Sequence, residues 1–284
     1  MEIKKVGVVG CGTMGSGITQ VCAQSGYPVV VSEINDEILN KGLASINSVL
    51  TRSVDKGKLS QQDKDSTLAR IKGTINPKDF SDCDLVIEAA TENMDLKKNI
   101  FAELDKICPK HTILATNTSC LSIIDMAMMT SRPDKVLGLH FMNPVPVMVL
   151  LEIVKTIATS DETLETGKDV GKSLGKTIVI AQDTPGFIVN RLLMSYLMNA
   201  INMLDAGVAT REDIDAAIHL GLNHPMGPLT LSDLIGNDTV LYVTGAIYEE
   251  FKDPQYAPPP LLKKMVTAGW LGRKTGKGFY EYNK

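Results

Sequence analysis

Three side chains in this sequence have the makings of a proton-transfer site: Ser119 in Asn117-Thr118-Ser119, His140 closing the apolar run VLGLHF, and Glu152 within VMVLLEIV. Glu152 is the single charge of its segment. A carboxylate buried without a partner costs several kcal/mol or takes up a proton, so it demands one, and His140 is the candidate. Imidazole suits the removal of a hydroxyl proton near neutral pH. A carboxylate on its other nitrogen would fix the tautomer and stabilise the imidazolium. Taken alone, a histidine is more often a hydrogen-bonded structural residue than a catalyst; the strand-end position, the nearby glycine turn and Glu152 shift that balance for His140. A serine at a strand end either donates to a substrate oxygen or caps a helix.

A second constellation opens the chain, in KVGVVGCGTMGSGITQVCAQSGYPVVVSE. Val6 to Val9 reads as a strand buried on both faces, and it leads directly into Gly10-x-Gly12-x-x-Gly15. In a dinucleotide site the first glycine allows the tight turn. The second lets the backbone approach a pyrophosphate, and the third lets the helix pack on the strand. The helix that follows has apolar positions at Met14, Ile18, Val21 and Cys22, and its first amides, at Thr13 and Met14, would face the phosphates. Glu33 ends the next strand, where a carboxylate can accept both ribose hydroxyls. No lysine or arginine sits beside it for a 2'-phosphate, which favours NAD over NADP.

These groups need a scaffold, and the pattern of elements supplies one. Residues 36 to 72 read as helices, with Asp36 as N-cap and an apolar stripe from Ile38 to Leu50. Strands follow at 84–89, 113–117, 136–141 and 177–180, with helices at 95–108 and 161–174. Ligands gather at the carboxyl ends of strands in an open parallel sheet, where Glu92, Asn117, Ser119 and His140 would converge. Gln182-Asp183-Thr184-Pro185-Gly186 marks a boundary. Beyond it the pattern is wholly helical, at 187–206, 211–220, 229–250 and 259–268. The expectation is an α/β chain in two domains: a Rossmann-type doubly wound sheet over residues 1–183 and an all-α domain over 184–284.

Bulk properties narrow the rest. The chain has 284 residues, 44% of them hydrophobic, enough for two cores. A net charge of −4 gives no global attraction to nucleic acid, so an anionic ligand must be held by local charge such as Arg52, Lys56 and Lys58. For an arbitrary cluster of this kind a solvated helix end is the more common reading. No apolar run reaches membrane-spanning length, the N-terminus lacks a signal-peptide pattern, and five cysteines without a C-x-x-C pair fit reduced thiols in the cytoplasm. The G-x-S-x-G elbow of serine hydrolases is missing. Gly171 to Thr177 is one residue short of a Walker A loop, and His219 with His224 lacks the acid or cysteine company of a metal site.

Seven segments together resemble the L-3-hydroxyacyl-CoA dehydrogenases, and most closely their short, single-function bacterial branch. They are GCGTMGSGI, EAATENMDLKK, NTS, HFMNPVPVMVLLE, PGFIVNR, NHPMGP and GWLGRKTGKGFY, and they run from Gly10 to Tyr280. The resemblance implies an NAD-dependent oxidoreductase acting at C3 of a short-chain 3-hydroxyacyl-CoA or 3-oxoacyl-CoA. It implies that His140 is the general base, paired with Glu152, and that Ser119 and Asn190 hydrogen-bond the substrate. Glu33, Glu92, Lys97, Asn117, Ser119, Asn143 and Lys274 would join the glycine turn in holding NAD, and Arg52 and Lys56 would take the CoA phosphates. The helical domain would close over the site and form a homodimer. Two positions depart from the family pattern: Glu33 stands where aspartate is common, and Met142 where phenylalanine is frequent. The rival readings are a beta-hydroxyacid dehydrogenase on a free acid, which would resemble a lysine-based catalyst, and a non-enzymatic NAD-binding protein.

Overall fold

The computed structural model describes residues 1–282, and the chain separates into two compact units that meet between Asp183 and Thr184. The first contains one eight-stranded sheet. Its strands are β1 (Val6–Val9), β2 (Val29–Ser32), β3 (Ile71–Thr74), β4 (Leu85–Glu88), β5 (Ile113–Thr116), β6 (Val136–Phe141), β7 (Leu150–Lys155) and β8 (Thr177–Gln182). They lie in the order β3-β2-β1-β4-β5-β6-β7-β8. The helices of this unit are α1 (Thr13–Gln24), α2 (Asp36–Asp55), α3 (Gln61–Ala69), α4 (Met94–Ile107), α5 (Ile123–Ala127) and α6 (Asp161–Ser173). The order reverses between β1 and β4, the place where a doubly wound sheet opens a crevice.

Both faces of β2, β4, β5 and β6 are buried, which is why these strands read as continuous apolar runs. Val6, Val8, Ile18, Ile87, Leu137, Phe141 and Ile153 belong to one core. Each such side chain contributes about 1.5–3 kcal/mol by leaving water. Arg132, almost fully buried, donates from its guanidinium to the Asp105 carboxylate at 2.7 Å and to the carbonyls of Asp105, Cys108 and Pro109. It thereby covers the carbonyl end of α4 with a cation.

Three expectations for this unit need correction. The segment read as helical through residue 72 ends earlier, and Ile71–Thr74 is an edge strand paired with β2. Four residues are too few to display a period, and Gly73 tucks beneath Leu39 and Leu43 of α2. The N-cap of α2 is Asn35, whose side chain accepts from the Ile38 amide at 2.9 Å, in place of Asp36. The sheet is also not wholly parallel, since β6 and β7 run antiparallel.

The second unit is helical, with α7 (Val189–Asp205), α8 (Arg211–Gly221), α9 (Pro228–Ile235), α10 (Asn237–Phe251) and α11 (Pro260–Thr267) around a core that includes Leu197, Ile201, Leu229, Val240, Ile247 and Leu262. The single helix expected over 229–250 is two, because Gly236 between them has φ +104°, a conformation that ends a helix. The last described residues fold back onto two carboxylates. Asp215 accepts from the amides of Leu229 and Thr230 at the start of α9, and from the Tyr280 hydroxyl. Asp233 accepts from the Tyr282 hydroxyl at 3.0 Å.

This latch makes the helical unit sensitive to alkali. Burial and the neighbouring carboxylates, Asp215 for Tyr280 and Asp233 for Tyr282, push both phenols up, Tyr282 to about 12. A raised pKa in the folded state means that folding favours the neutral phenol. The stabilisation is complete below the ordinary phenol value of about 10 and is lost as pH climbs through the folded values. Urea midpoints should therefore fall between about pH 10 and 12, and Tyr282→Phe should flatten that fall. An unchanged slope in the variant would remove Tyr282 from the account.

Candidate active site

The glycine turn is built as its spacing requires. Gly10 holds φ +94°, and a Cβ there would lie 2.8 Å from the Ala89 carbonyl oxygen. A Cβ on Gly15 would lie 1.9 Å from the carbonyl oxygen of Gly10, so only glycine lets α1 approach β1 this closely. Gly12 is the opposite case, since a Cβ there would meet nothing within 4 Å. The first turn of α1, with Thr13 and Met14, has neither a side-chain cap nor an acid. Open space before uncapped helix amides fits a pyrophosphate. Glu33, half-buried at the end of β2, accepts from the amide of Cys11 in the turn at 2.7 Å and from that of Ile34 at 3.1 Å.

The second cluster lies at the far strands of the same sheet. His140 and Glu152 are register partners across the antiparallel pair β6 and β7. Glu152 is wholly buried, and its Oε2 lies 2.6 Å from Nδ1 of His140, itself 4% exposed. The other ring nitrogen, Nε2, is 3.1 Å from the Ser119 hydroxyl. With Glu152 ionised, Nδ1 carries the proton, Nε2 presents its lone pair, and Ser119 donates to it. Ser119 is thus no helix cap. Ser122 caps α5 instead, and both carboxylate oxygens of Asp183 accept from the Ile123 and Ile124 amides, fixing the loop from its far side.

Other expected residues take definite places. Asn117 accepts from the Phe141 amide at 2.9 Å and so joins the ends of β5 and β6. Glu92 accepts from the Thr118 hydroxyl and from the Ser119 amide at 3.0 Å. Lys97 does not reach the crevice surface. It is 1% exposed, and its ammonium lies 2.6 Å from Glu88 and 3.4 Å from Glu92. Asn143 is exposed and precedes Pro144 in a cis peptide. Arg52 and Lys56 are exposed together at the C-terminal end of α2. Asn190 is half-buried in the first turn of α7. Lys274, in the same helical unit, donates to Asp238 at 2.7 Å.

Glu88, Thr116, Thr118 and Asp183 were not anticipated. Glu88 had a signal like that of Glu152, an acid beside apolar strand residues, and could have been found by it. Thr116, Thr118 and Asp183 had none, since small polar residues at element ends are common. Among the described residues no group of three or more His, Cys, Asp or Glu is placed to hold a metal, and no helix is long and apolar enough to cross a membrane. All five cysteines are free and buried.

Comparison with known proteins follows the same division. The family model for "3-hydroxyacyl-CoA dehydrogenase, NAD binding domain" matches residues 5–184, and that for "3-hydroxyacyl-CoA dehydrogenase, C-terminal domain" matches 186–282. The 3-hydroxybutyryl-CoA dehydrogenase of Clostridioides difficile is 48% identical over 280 residues, covering 99% of this chain and 100% of that protein. A probable 3-hydroxybutyryl-CoA dehydrogenase of Bacillus subtilis is 45% identical over 284 residues, covering 100% and 99%. The crystal structure of (S)-3-hydroxybutyryl-CoA dehydrogenase from Ralstonia eutropha superposes with a TM-score of 0.97 at 48% identity, over 100% of both chains.

Proposed function

The chain belongs to the 3-hydroxyacyl-CoA dehydrogenase family and is an NAD-dependent enzyme; from that premise we propose that it interconverts 3-hydroxybutyryl-CoA and acetoacetyl-CoA, with His140 moving the proton. The observation that carries this reading is the three-part contact Ser119–His140–Glu152, at 3.1 and 2.6 Å. NAD supplies the hydride acceptor, and the protein supplies the rest. Glu152 holds Nδ1–H, so Nε2 takes the proton of the 3-hydroxyl as hydride leaves C3 and the carbonyl forms. In reduction the imidazolium returns that proton to the carbonyl oxygen. The Ser119 hydroxyl, beside the same nitrogen, donates to the 3-oxygen, and Asn190 hydrogen-bonds the 3-oxygen or the thioester region.

For the cofactor we assign Gly10, Gly12, Thr13, Met14 and Gly15 to the pyrophosphate and Glu33 to the ribose. Glu92, Asn117, Ser119, Asn143 and Lys274 complete the site, with Lys97 behind Glu92. Arg52 and Lys56 take the CoA phosphates, supported by their shared exposure on one helix end. The same reading makes the protein a cytoplasmic homodimer that reduces acetoacetyl-CoA in butyrate-type metabolism. Leu192, Leu220 and Leu222, each more than half exposed on the helical unit, are apolar side chains that self-association would remove from water.

Loss of NADH absorbance with acetoacetyl-CoA, compared with free acetoacetate, tests the substrate. Turnover of the thioester alone is expected. Equal turnover of the free acid would sink CoA recognition. No reduction of either by a protein that still binds NADH would sink the substrate assignment.

A further inference from the structure

We propose that Glu88 and Lys97 are positioning residues for Ser119, acting through Glu92; the inference rests on the reading of Ser119 and His140 as the groups that touch substrate. Lys97 lies on α4 with its side chain 1% exposed, and its ammonium is shared by two carboxylates. Glu88, wholly buried at the end of β4, is 2.6 Å away and also accepts from the Ala90 amide at 2.7 Å and the Thr116 hydroxyl at 2.7 Å. Glu88 is thereby fixed to two adjacent strands. Glu92, on the loop between β4 and α4, lies 3.4 Å from the same ammonium through Oε2. Its Oε1 accepts from the Ser119 amide at 3.0 Å and from the Thr118 hydroxyl. The path from the sheet to the Ser119 hydroxyl, 3.1 Å from His140 Nε2, is continuous.

The energetics argue that this arrangement serves placement. A buried ion pair gains little over apolar side chains of similar volume, because both charges have been taken out of water. What Lys97 does that an apolar residue cannot is hold two carboxylates on one point charge. Without it Glu88 and Glu92 repel each other. One of them then protonates or swings away, and the Ser119 backbone loses the acceptor that sets its hydroxyl.

The test is a double-mutant cycle between Lys97→Met and Ser119→Ala, read as kcat for acetoacetyl-CoA reduction, with NADH binding followed by fluorescence. Lys97→Met alone is expected to lower kcat roughly tenfold, a coupling normal for residues of one hydrogen-bonded network. NADH affinity should fall by less than kcat does, since Glu92 is one of several cofactor contacts, and in the Ser119→Ala background the same change should cost almost nothing in kcat. Full additivity would overturn the proposal, as would a loss of NADH affinity that accounts for the whole effect, which would make Lys97 a cofactor contact. If Lys97→Met fails to fold, Glu88→Gln in the same cycle decides, since its amide keeps the shape and weakens the hold on the ammonium. A wild-type protein that leaves acetoacetyl-CoA unreduced would refute the substrate reading instead, before any variant is compared.

Discussion

His140→Gln is expected to lower kcat for acetoacetyl-CoA reduction by about 10³-fold, the usual worth of a well-placed general acid or base. Glutamine is the informative replacement. It is polar, close in length, and can still donate to Glu152, so the wholly buried carboxylate is not stranded as it would be beside alanine. It cannot take up a proton. The glycine turn and Glu33 lie at β1 and β2, distant in sheet order from β6, so NADH affinity should be nearly unchanged. A fall in kcat and kcat/KM together, with cofactor binding intact, is the signature of a group needed in the transition state. A variant with wild-type kcat would remove His140 as the proton carrier. One that lost NADH binding as well would reveal a structural histidine.

The largest effect on stability is expected at Asp233. Its buried carboxylate accepts from the amides of Phe279 and Tyr280 at 2.9 and 3.0 Å, from the Asn237 side chain at 3.0 Å and from the Tyr282 hydroxyl at 3.0 Å. The packing leaves no slack, because a Cβ on Gly278 would lie 1.9 Å from Asp233 Oδ1. Asp233→Ala leaves two backbone amides without their acceptor in a site too tight to refill. The cost should be about 4 kcal/mol, from hydrogen bonds to a charge worth roughly 1.5–3 kcal/mol each. The single tryptophan, Trp270, belongs to the helical unit and reports its unfolding in urea. The midpoint should fall with the slope m unchanged. A loss below about 1 kcal/mol would show that solvent replaces the carboxylate readily and that the latch contributes little.

The sequence by itself determined the dinucleotide turn, the change from alternating strands and helices to helices alone, and the choice of Ser119, His140 and Glu152 as candidates for the site. These are written in nearest neighbours. Glycines at fixed offsets, apolar runs and helical periods follow from local sterics and from which face a short segment buries. It misread Ile71–Thr74, whose four residues are too few for a period, and it ran α9 into α10 because an apolar stripe continues across Gly236. Tertiary structure alone decided the pairings. Glu152 could be matched to His140 by electrostatic need, but their meeting at 2.6 Å depends on β7 running antiparallel to β6 in one register, and a shift of one residue would turn Glu152 to the other face. Nor could the chain in linear form reveal that the Lys97 ammonium turns inward to Glu88 and Glu92, or that Asp233 receives the segment from Phe279 to Tyr282. Burial and strand register are set by residues far apart along the chain, and the free energy that fixes them exists only once those partners have met.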